Sequence, residues 1–314
     1  MSNIGAWGGD PARKQSSIAA ARATLAPYRA AMCHPALFLA ATDGGNGPSN
    51  VYCAAFGTAD PAEIEALSGL PVCVLLLASA ALVACEHWGI DPGSDYSTPH
   101  LLGGAEEAPL AALQAIPVGV SGVAIARSYL VEVLERFANL LDHDGDGLSS
   151  GQRALVLELA RLHGTASDDS TKFRTVRHAA ISVANSATGE FESTILRFVE
   201  STAWPTAGLV AELPLLVSAA HRDLRACLAP ERPTPAERRA MDDLARLVLE
   251  FDARVAADPS LELAVERRRL AETPESVAVY SSEFQARLRY YDRVAAEAYA
   301  PFAVDLLLEA FQNA

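Results

Sequence analysis

The chain has 314 residues, of which 50% are hydrophobic, and a formal net charge of -14. This length and apolar content suffice for one large or two modest hydrophobic cores, and they exclude an intrinsically disordered chain. The acidic balance argues against nucleic-acid binding, because contact with phosphates requires a clustered cationic surface.

The residue types favour helices over strands. Aromatic residues make up only 7% of the chain, while alanine, leucine, valine, glutamate and arginine are abundant. Small and straight-chain residues suit closely packed helices better than the two faces of a sheet sandwich. We therefore predict an all-α fold, a multi-helix bundle.

The cysteines and the N-terminus indicate the compartment. The five cysteines are an odd number without C-x-x-C spacing, which indicates reduced thiols instead of a disulfide framework or a zinc site. The first residues, Met1 to Lys14, lack the apolar stretch of a secretory signal. We expect a cytoplasmic protein.

Residues 1–104 are predicted to form an N-terminal helical region that contains a buried apolar helix. A first helix is expected over residues 12–33. Residues 36–58 fit either a β-hairpin or two short helix ends around a glycine-rich turn, and helix ends are favoured. Asp60, Pro61 and Glu63 then show the pattern of a helix start, with an N-cap, an early proline and a capping-box glutamate.

Two uncharged stretches, residues 67–85 and 109–126, are each close to the length that a membrane span needs. Both are rich in alanine and are interrupted by proline or glycine. We favour buried core helices, because a large helical domain requires a central helix that is apolar on all sides. Membrane association through these two stretches is the alternative interpretation.

A C-terminal helical domain is predicted over residues 105–314, unless it forms one continuous domain with the N-terminal region. The proline- and glycine-rich segment 91–104 marks the boundary. A helix is expected from about residue 106 to 141, with kinks at Pro117 and Gly122. Nearly everything after residue 150 has a helical pattern, and Pro301 should kink or split the last helix.

Seven histidines are present, and none has the spacing of a helical metal pair. His178 and His221 each lie beside alanines on predicted helices. Partly buried structural histidines are the more common occupants of such positions. We expect that role for both residues.

The segment after the long helix carries the most definite chemistry. Asp142, Asp144 and Asp146 place three carboxylates at alternate positions, and Gly147 follows them. A hard cation such as Ca²⁺ takes about six to eight oxygen ligands, and aspartates at this spacing on a curling chain can converge on one point. Gly147, in the sixth position, is expected to supply the positive φ angle of a sharp turn.

Residues 130–162 therefore resemble a single EF-hand with a shortened or degenerate exit. The resemblance implies a calcium site made by Asp142, Asp144, Asp146 and the main-chain carbonyl of Leu148. An EF-hand normally ends in a bidentate glutamate at its twelfth position, whereas direct counting gives Arg153 and a count with one residue missing gives Gln152. Neither is a carboxylate, so weak binding is expected. The alternative is a solvated aspartate and glycine turn between two helices.

No short motif identifies an enzyme, since H-E-x-x-H, G-x-S-x-G and phosphate-loop patterns are absent from the sequence. We predict a soluble helical protein that is calcium-binding or calcium-modulated and acts through contacts with a protein partner or a second copy of itself. Two alternatives stay open. One is a membrane-associating protein that uses residues 67–85 and 109–126, and the other is an all-α enzyme with an unidentified site.

Overall fold

The computed structural model describes residues 5–25, 52, 56–58, 60–90, 97–101, 107–187, 189–258 and 262–314. Within these ranges the chain forms fourteen α-helices and one two-stranded antiparallel ribbon. The prediction of an all-α multi-helix bundle is confirmed, with the ribbon as an addition. Most of segment 36–58 and the predicted boundary at residue 104 lie outside the described residues.

The helices and strands are numbered in chain order. The first part of the chain forms α1 (Pro11–Leu25), α2 (Pro61–Ser68), α3 (Val72–Leu82), β1 (Glu86–Ile90), β2 (Ser97–Leu101), α4 (Ala108–Ala115) and α5 (Gly122–Asn139). The second part forms α6 (Ser150–Gly164), α7 (Ser170–Ala184), α8 (Glu190–Thr202), α9 (Thr206–Leu209), α10 (Leu213–Leu228), α11 (Pro235–Ala257), α12 (Leu263–Ala271), α13 (Pro274–Val279) and α14 (Ser282–Gln312). One-turn 3-10 helices cover Ala6–Gly9 and Val83–Cys85.

Helix α3 is the central helix of the bundle. It contains no charged residue, and most of its side chains are buried, including Leu75 and Leu82. Burial on all sides explains why its sequence has no polar face. Among the described residues, no single helix is both long and apolar enough to cross a bilayer, and the segments Pro61–Ser68 and Val72–Cys85 reach that length only together, across a bend of 98°.

The helix predicted over residues 106–141 is two helices, because the chain leaves helical geometry between Ala115 and Gly122. Gly119 lies in this break with a φ of 82°. The N-terminal segment fills the break: the indole nitrogen of the fully buried Trp7 donates to the carbonyl of Ile116 at 3.2 Å. The segment around Trp7 is thereby fixed to the main core.

The ribbon begins directly after the 3-10 turn that follows α3. β1 and β2 pair antiparallel, with Glu86 opposite Leu101 and Ile90 opposite Ser97. β2 lies within segment 91–104, where the sequence pattern predicts only a boundary. Because β1 packs against α14, the ribbon places Glu86 beside the last helix of the chain.

Two histidines, His163 and His221, are fully buried and hydrogen-bonded, and Nδ1 of His163 lies 2.9 Å from the hydroxyl oxygen of Thr206. His221 lies between two tyrosine hydroxyl groups, with Nε2 at 2.7 Å from Tyr129 and Nδ1 at 2.8 Å from Tyr299. Burial lowers the pKa of His221 to about 3, so the ring is neutral and one nitrogen donates while the other accepts. The structural role predicted for His221 is confirmed, whereas His178 is exposed.

A second, smaller apolar cluster forms beyond the main core from Leu244 of α11, Val279 of α13 and Phe284 of α14. We call these helices, with α12, the C-terminal unit. Helix α14 belongs to both clusters, since its later residues, such as Phe311, lie in the main core. It continues through Pro301 without splitting, because buried residues on both sides of the proline hold the helix against the core.

Candidate functional site

The predicted calcium loop is a closed turn held by its own hydrogen bonds. Oδ1 of Asp142 accepts the main-chain N–H groups of Asp144 and Asp146, both at 2.9 Å. The N–H of Asp142 donates to the carbonyl of Asp146 at 2.7 Å, and Leu141 forms an antiparallel bridge with Gly147. One aspartate of the predicted set therefore organises the other two through their backbone.

The backbone conformations of the two glycines in this loop differ from the predicted ones. The positive φ angle, 85°, belongs to Gly145, and Gly147 lies in the bridge with Leu141. A β-carbon on Gly147 would lie 2.9 Å from a methyl carbon of Leu141. The predicted reason for Gly147 is thus wrong, because its small size matters for close approach and not for a left-handed turn.

The exit of the loop is a helix cap. Ser149 is the N-cap of α6, and its hydroxyl oxygen accepts the N–H of Gln152 at 3.4 Å. Oε1 of Gln152 accepts the N–H of Ser149 at 2.7 Å, which completes a capping box. The spacing of Ser149 and Gln152 corresponds to an EF-hand loop that is one residue shorter than usual. The buried side chain of Leu148 anchors this exit in the main core.

Hydrogen bonds within the loop already engage part of the predicted ligand set. Asp144 and Asp146 are exposed, one oxygen of Asp142 already accepts two N–H groups, and the side-chain oxygen of Gln152 is engaged in the cap. In the part of the chain that the structure describes, no group of three or more histidine, cysteine, aspartate or glutamate side chains is placed to hold a metal. The hydrogen bonds of the loop and the capping box hold the turn in the observed conformation.

A cleft of about 590 Å³ lies where the main core meets the C-terminal unit. Its walls come from the start of β1, from α10 and the linker after it, from α11 and from α14. The lining side chains include three arginines, two apolar residues and one tyrosine: Arg222, Arg225, Arg232, Met241, Leu288 and Tyr291. Carboxylates of Glu86, Glu231 and Asp292 also line it.

Glu86 is the unusual residue of this cleft. Its Oε1 atom is buried, and no described residue forms a hydrogen bond with it. Burial raises the pKa of the Glu86 carboxyl to about 8, although Arg225 and Arg222 act to lower it. At neutral pH the group is therefore mainly a neutral carboxylic acid, which can donate a hydrogen bond.

Arg225 fixes the position of Glu86. Its Nη1 donates to the main-chain carbonyl of Glu86, and its Nη2 forms an ion pair with Asp292 of α14. Both side chains of the pair are largely buried, at 12% and 20% exposure. This arginine joins β1, α10 and α14, so the floor of the cleft is made from three elements that are distant in sequence.

The other two arginines have different surroundings. Arg232 donates to the carbonyls of Cys227 and Ala229, which end α10. Arg222 lies on the exposed side of α10, and none of the described carboxylates lies within ion-pair distance of it. One cation at the mouth of the cleft is thus available to a ligand.

The far wall is held in place by Glu237 at the start of α11. Its carboxylate caps the helix through Thr234 and accepts from Nε of Arg287 at 2.6 Å. The hydrogen bonds from Thr234 and Arg287 lower the pKa of Glu237 to about 2. The hydroxyl of Tyr291 donates to the same carboxylate at 3.3 Å, which orients the tyrosine ring along the cleft.

No sequence motif indicates Glu86 as a functional residue. One signal was available, since Glu86 is the first charged residue after the uncharged stretch 67–85. A carboxylate that directly follows a buried helix is expected to lie near the core. Its arginine and aspartate neighbours could not be inferred, because they lie far along the chain.

No protein-family model, no curated protein and no solved structure matches the chain. Function is therefore inferred from the side chains of the cleft and of the loop.

Proposed function

We propose that this protein binds a small molecule in the cleft between the main core and the C-terminal unit, with Glu86 as a direct contact. The observation that carries the proposal is the buried, unpartnered Oε1 of Glu86. Folded proteins pair nearly all buried polar atoms, because an unpaired one costs about 1–3 kcal/mol. A ligand that bonds to this carboxyl removes that cost.

The cleft has the size and setting of a ligand site. Its volume of about 590 Å³ falls within the range of about 300–1,000 Å³ that is usual for such sites. It combines apolar walls with a few fixed polar groups and lies between two packed units, where ligand pockets are frequent. A carboxyl group whose pKa is strongly raised is also more common at functional sites than elsewhere.

A cleft-blocking variant tests this proposal. Met241→Trp adds volume to the cleft wall, and Leu249→Trp places the same side chain on the same helix at a position that is 69% exposed. A metabolite library that contains carboxylates, phosphates, amines and neutral compounds is screened by thermal shift. We expect compounds that stabilise the wild type and Leu249→Trp but not Met241→Trp. A library without any such compound contradicts the proposal.

A second candidate function is calcium binding by the loop after α5. The protein would then be soluble and act through contacts with a protein partner or a second copy of itself. The observation that favours it is the register of Ser149 and Gln152, which matches an EF-hand exit shortened by one residue. Calorimetric titration with Ca²⁺ and Mg²⁺ of the wild type and of an Asp144→Asn, Asp146→Asn double variant tests it. Equal, negligible heats for both proteins exclude this function.

A further inference from the structure

We propose that the occupant of the cleft is a small organic anion, whose carboxylate or phosphate group lies between the guanidinium group of Arg222 and the carboxylic acid of Glu86. The inference rests on the proposed function and specifies its ligand. It follows from the charges of the cleft, from the hydrogen-bonding capacity of Glu86 and from the fixed positions of the surrounding groups.

Three arginines and three acidic residues line the cleft, so with Glu86 protonated the cleft carries one net positive charge in a protein whose net charge is -14. The charge of Arg225 is balanced by Asp292, with which it forms an ion pair. Glu231 accepts a hydrogen bond from the hydroxyl of Tyr290 at 2.8 Å. This leaves Arg222 as a cation that faces the cleft without an ion-pair partner among the described residues, so the complementary ligand is an anion.

The protonation of Glu86 favours the same ligand. A carboxylic acid donates one hydrogen bond, and donation to an anionic oxygen is stronger than donation to a neutral acceptor. An ionised Glu86 would instead repel an anion. Because the pKa of Glu86 is raised to about 8, the donating form predominates at neutral pH, and the repelling form appears only at higher pH.

The charged groups around Glu86 act on its pKa in both directions: Arg225 and Arg222 lower it and Asp292 raises it, while burial has the largest effect. From α10 come Arg222 and Arg225, and from α14 come Tyr291 and Asp292. The linker after α10 contributes Glu231 and Arg232, α11 contributes Met241, and the register partner on β2 is Leu101. Burial raises the pKa of Tyr291, so its hydroxyl also stays protonated.

A cationic ligand is disfavoured by the same geometry. An amine would require Glu86 to be ionised, and the two arginines nearest to Glu86 would repel the amine. A neutral ligand would leave the charge of Arg222 without a partner. The cleft is therefore expected to distinguish ligands by charge.

Calorimetric titration tests the inference with four probes of similar length: glutarate, glycerol phosphate, cadaverine as a cation and pentanediol as a neutral compound. We expect wild-type protein to bind at least one of the two anions and neither control probe. The anion that binds identifies carboxylate or phosphate as the preferred group. Above a pH of about 8, affinity should fall by up to about tenfold per pH unit.

Two variants separate the contributions of the two residues. Arg222→Gln should weaken anion binding by about tenfold or more, because it removes a charge-assisted contact, whereas Arg246→Gln at an exposed site of α11 should not. Glu86→Gln keeps a donor but cannot ionise, so the fall in affinity at high pH should disappear. The pH profile of the wild type provides the same information if Glu86→Gln does not fold.

The outcomes distinguish this inference from the proposed function. Binding of cadaverine or pentanediol that Met241→Trp abolishes would overturn the anion inference and leave the proposed function intact. Anion binding that is unchanged in Arg222→Gln would also overturn the inference. Absence of any cleft-dependent binding, both for these probes and for the metabolite library, would overturn both.

Discussion

The guanidinium group of Arg225 donates a hydrogen bond to the main-chain carbonyl of Glu86, while the carboxyl oxygen Oε1 of Glu86 has no partner among the described residues. The arginine thus holds the backbone of Glu86 and leaves its side chain available. Asp292 fixes the arginine in turn. A fixed backbone and an unpaired acid are the arrangement of a residue that is positioned to contact a ligand.

Glu86 should make the stability of the protein depend on pH. Its pKa rises from 4.5 to about 8 on folding, so the folded state keeps a proton that the unfolded chain releases between these values. The stabilisation is complete below a pH of 4.5 and is lost as the pH rises through about 8. Urea denaturation should show that wild-type protein loses on the order of 5 kcal/mol relative to Glu86→Gln over this range. Parallel pH profiles of the two proteins would contradict this.

The buried histidine network should contribute to stability through both tyrosines. Tyr299→Phe removes the hydroxyl group at 2.8 Å from Nδ1 of His221 and leaves that nitrogen buried without its partner. We expect a loss of about 1–3 kcal/mol in the free energy of unfolding. Tyr280→Phe is the control, since that side chain is 67% exposed. Equal stability of the two variants would show that the hydrogen bond is unimportant.

Two glycines should respond in opposite ways to alanine. At Gly5 a β-carbon would lie 2.5 Å from the main-chain oxygen of Gly119, so Gly5→Ala should destabilise the protein by about 1–3 kcal/mol. At Gly151, in the first turn of α6, nothing lies within 4 Å, and alanine should stabilise by up to about 1 kcal/mol. Thermal and urea denaturation of both variants measure this. A tolerant Gly5 would show that the N-terminal segment is not packed against the break between α4 and α5.

The loop after α5 should need Asp142 even without a metal. Asp142→Ala removes the acceptor for the N–H groups of Asp144 and Asp146, and we expect it to cost about 1 kcal/mol in the presence of a chelator. Asp144→Ala should have little effect under the same conditions, because that side chain is exposed. If all three aspartates are equivalent in chelator and become essential only with Ca²⁺, the turn is organised by the ion.

The parts of the fold that depend on neighbouring residues were predictable from the sequence. The N-cap of α2 is Asp60, whose carboxylate accepts the N–H of Ala62 at 2.8 Å, whereas the predicted capping-box residue Glu63 accepts from the hydroxyl of Thr58 instead. A capping box of Thr234 and Glu237 begins α11. Such patterns contain both partners within a few residues. The helical fold class followed from the residue types and from the helical pattern after residue 150.

The parts that depend on distant residues were not predictable. The carbonyl of Glu86 and its donor Arg225 are 139 residues apart, and Arg225 and Asp292 are 67 residues apart. No local pattern in the sequence connects them. The two-stranded ribbon was not predicted for a related reason. β1 and β2 are short, and neither sequence indicates a strand by itself, because the pairing between them stabilises both.

The titration of Glu86 itself tests the central claim most directly. The protein is labelled with ¹³C-glutamate, and the carboxyl signal that disappears in Glu86→Gln is assigned to Glu86. The chemical shift of this signal is then followed against pH by nuclear magnetic resonance. We predict a midpoint near 8, and a higher midpoint when an anion occupies the cleft. A midpoint near 4.5, unchanged by every ligand, would show that the carboxyl is solvated and that the cleft is not built around it.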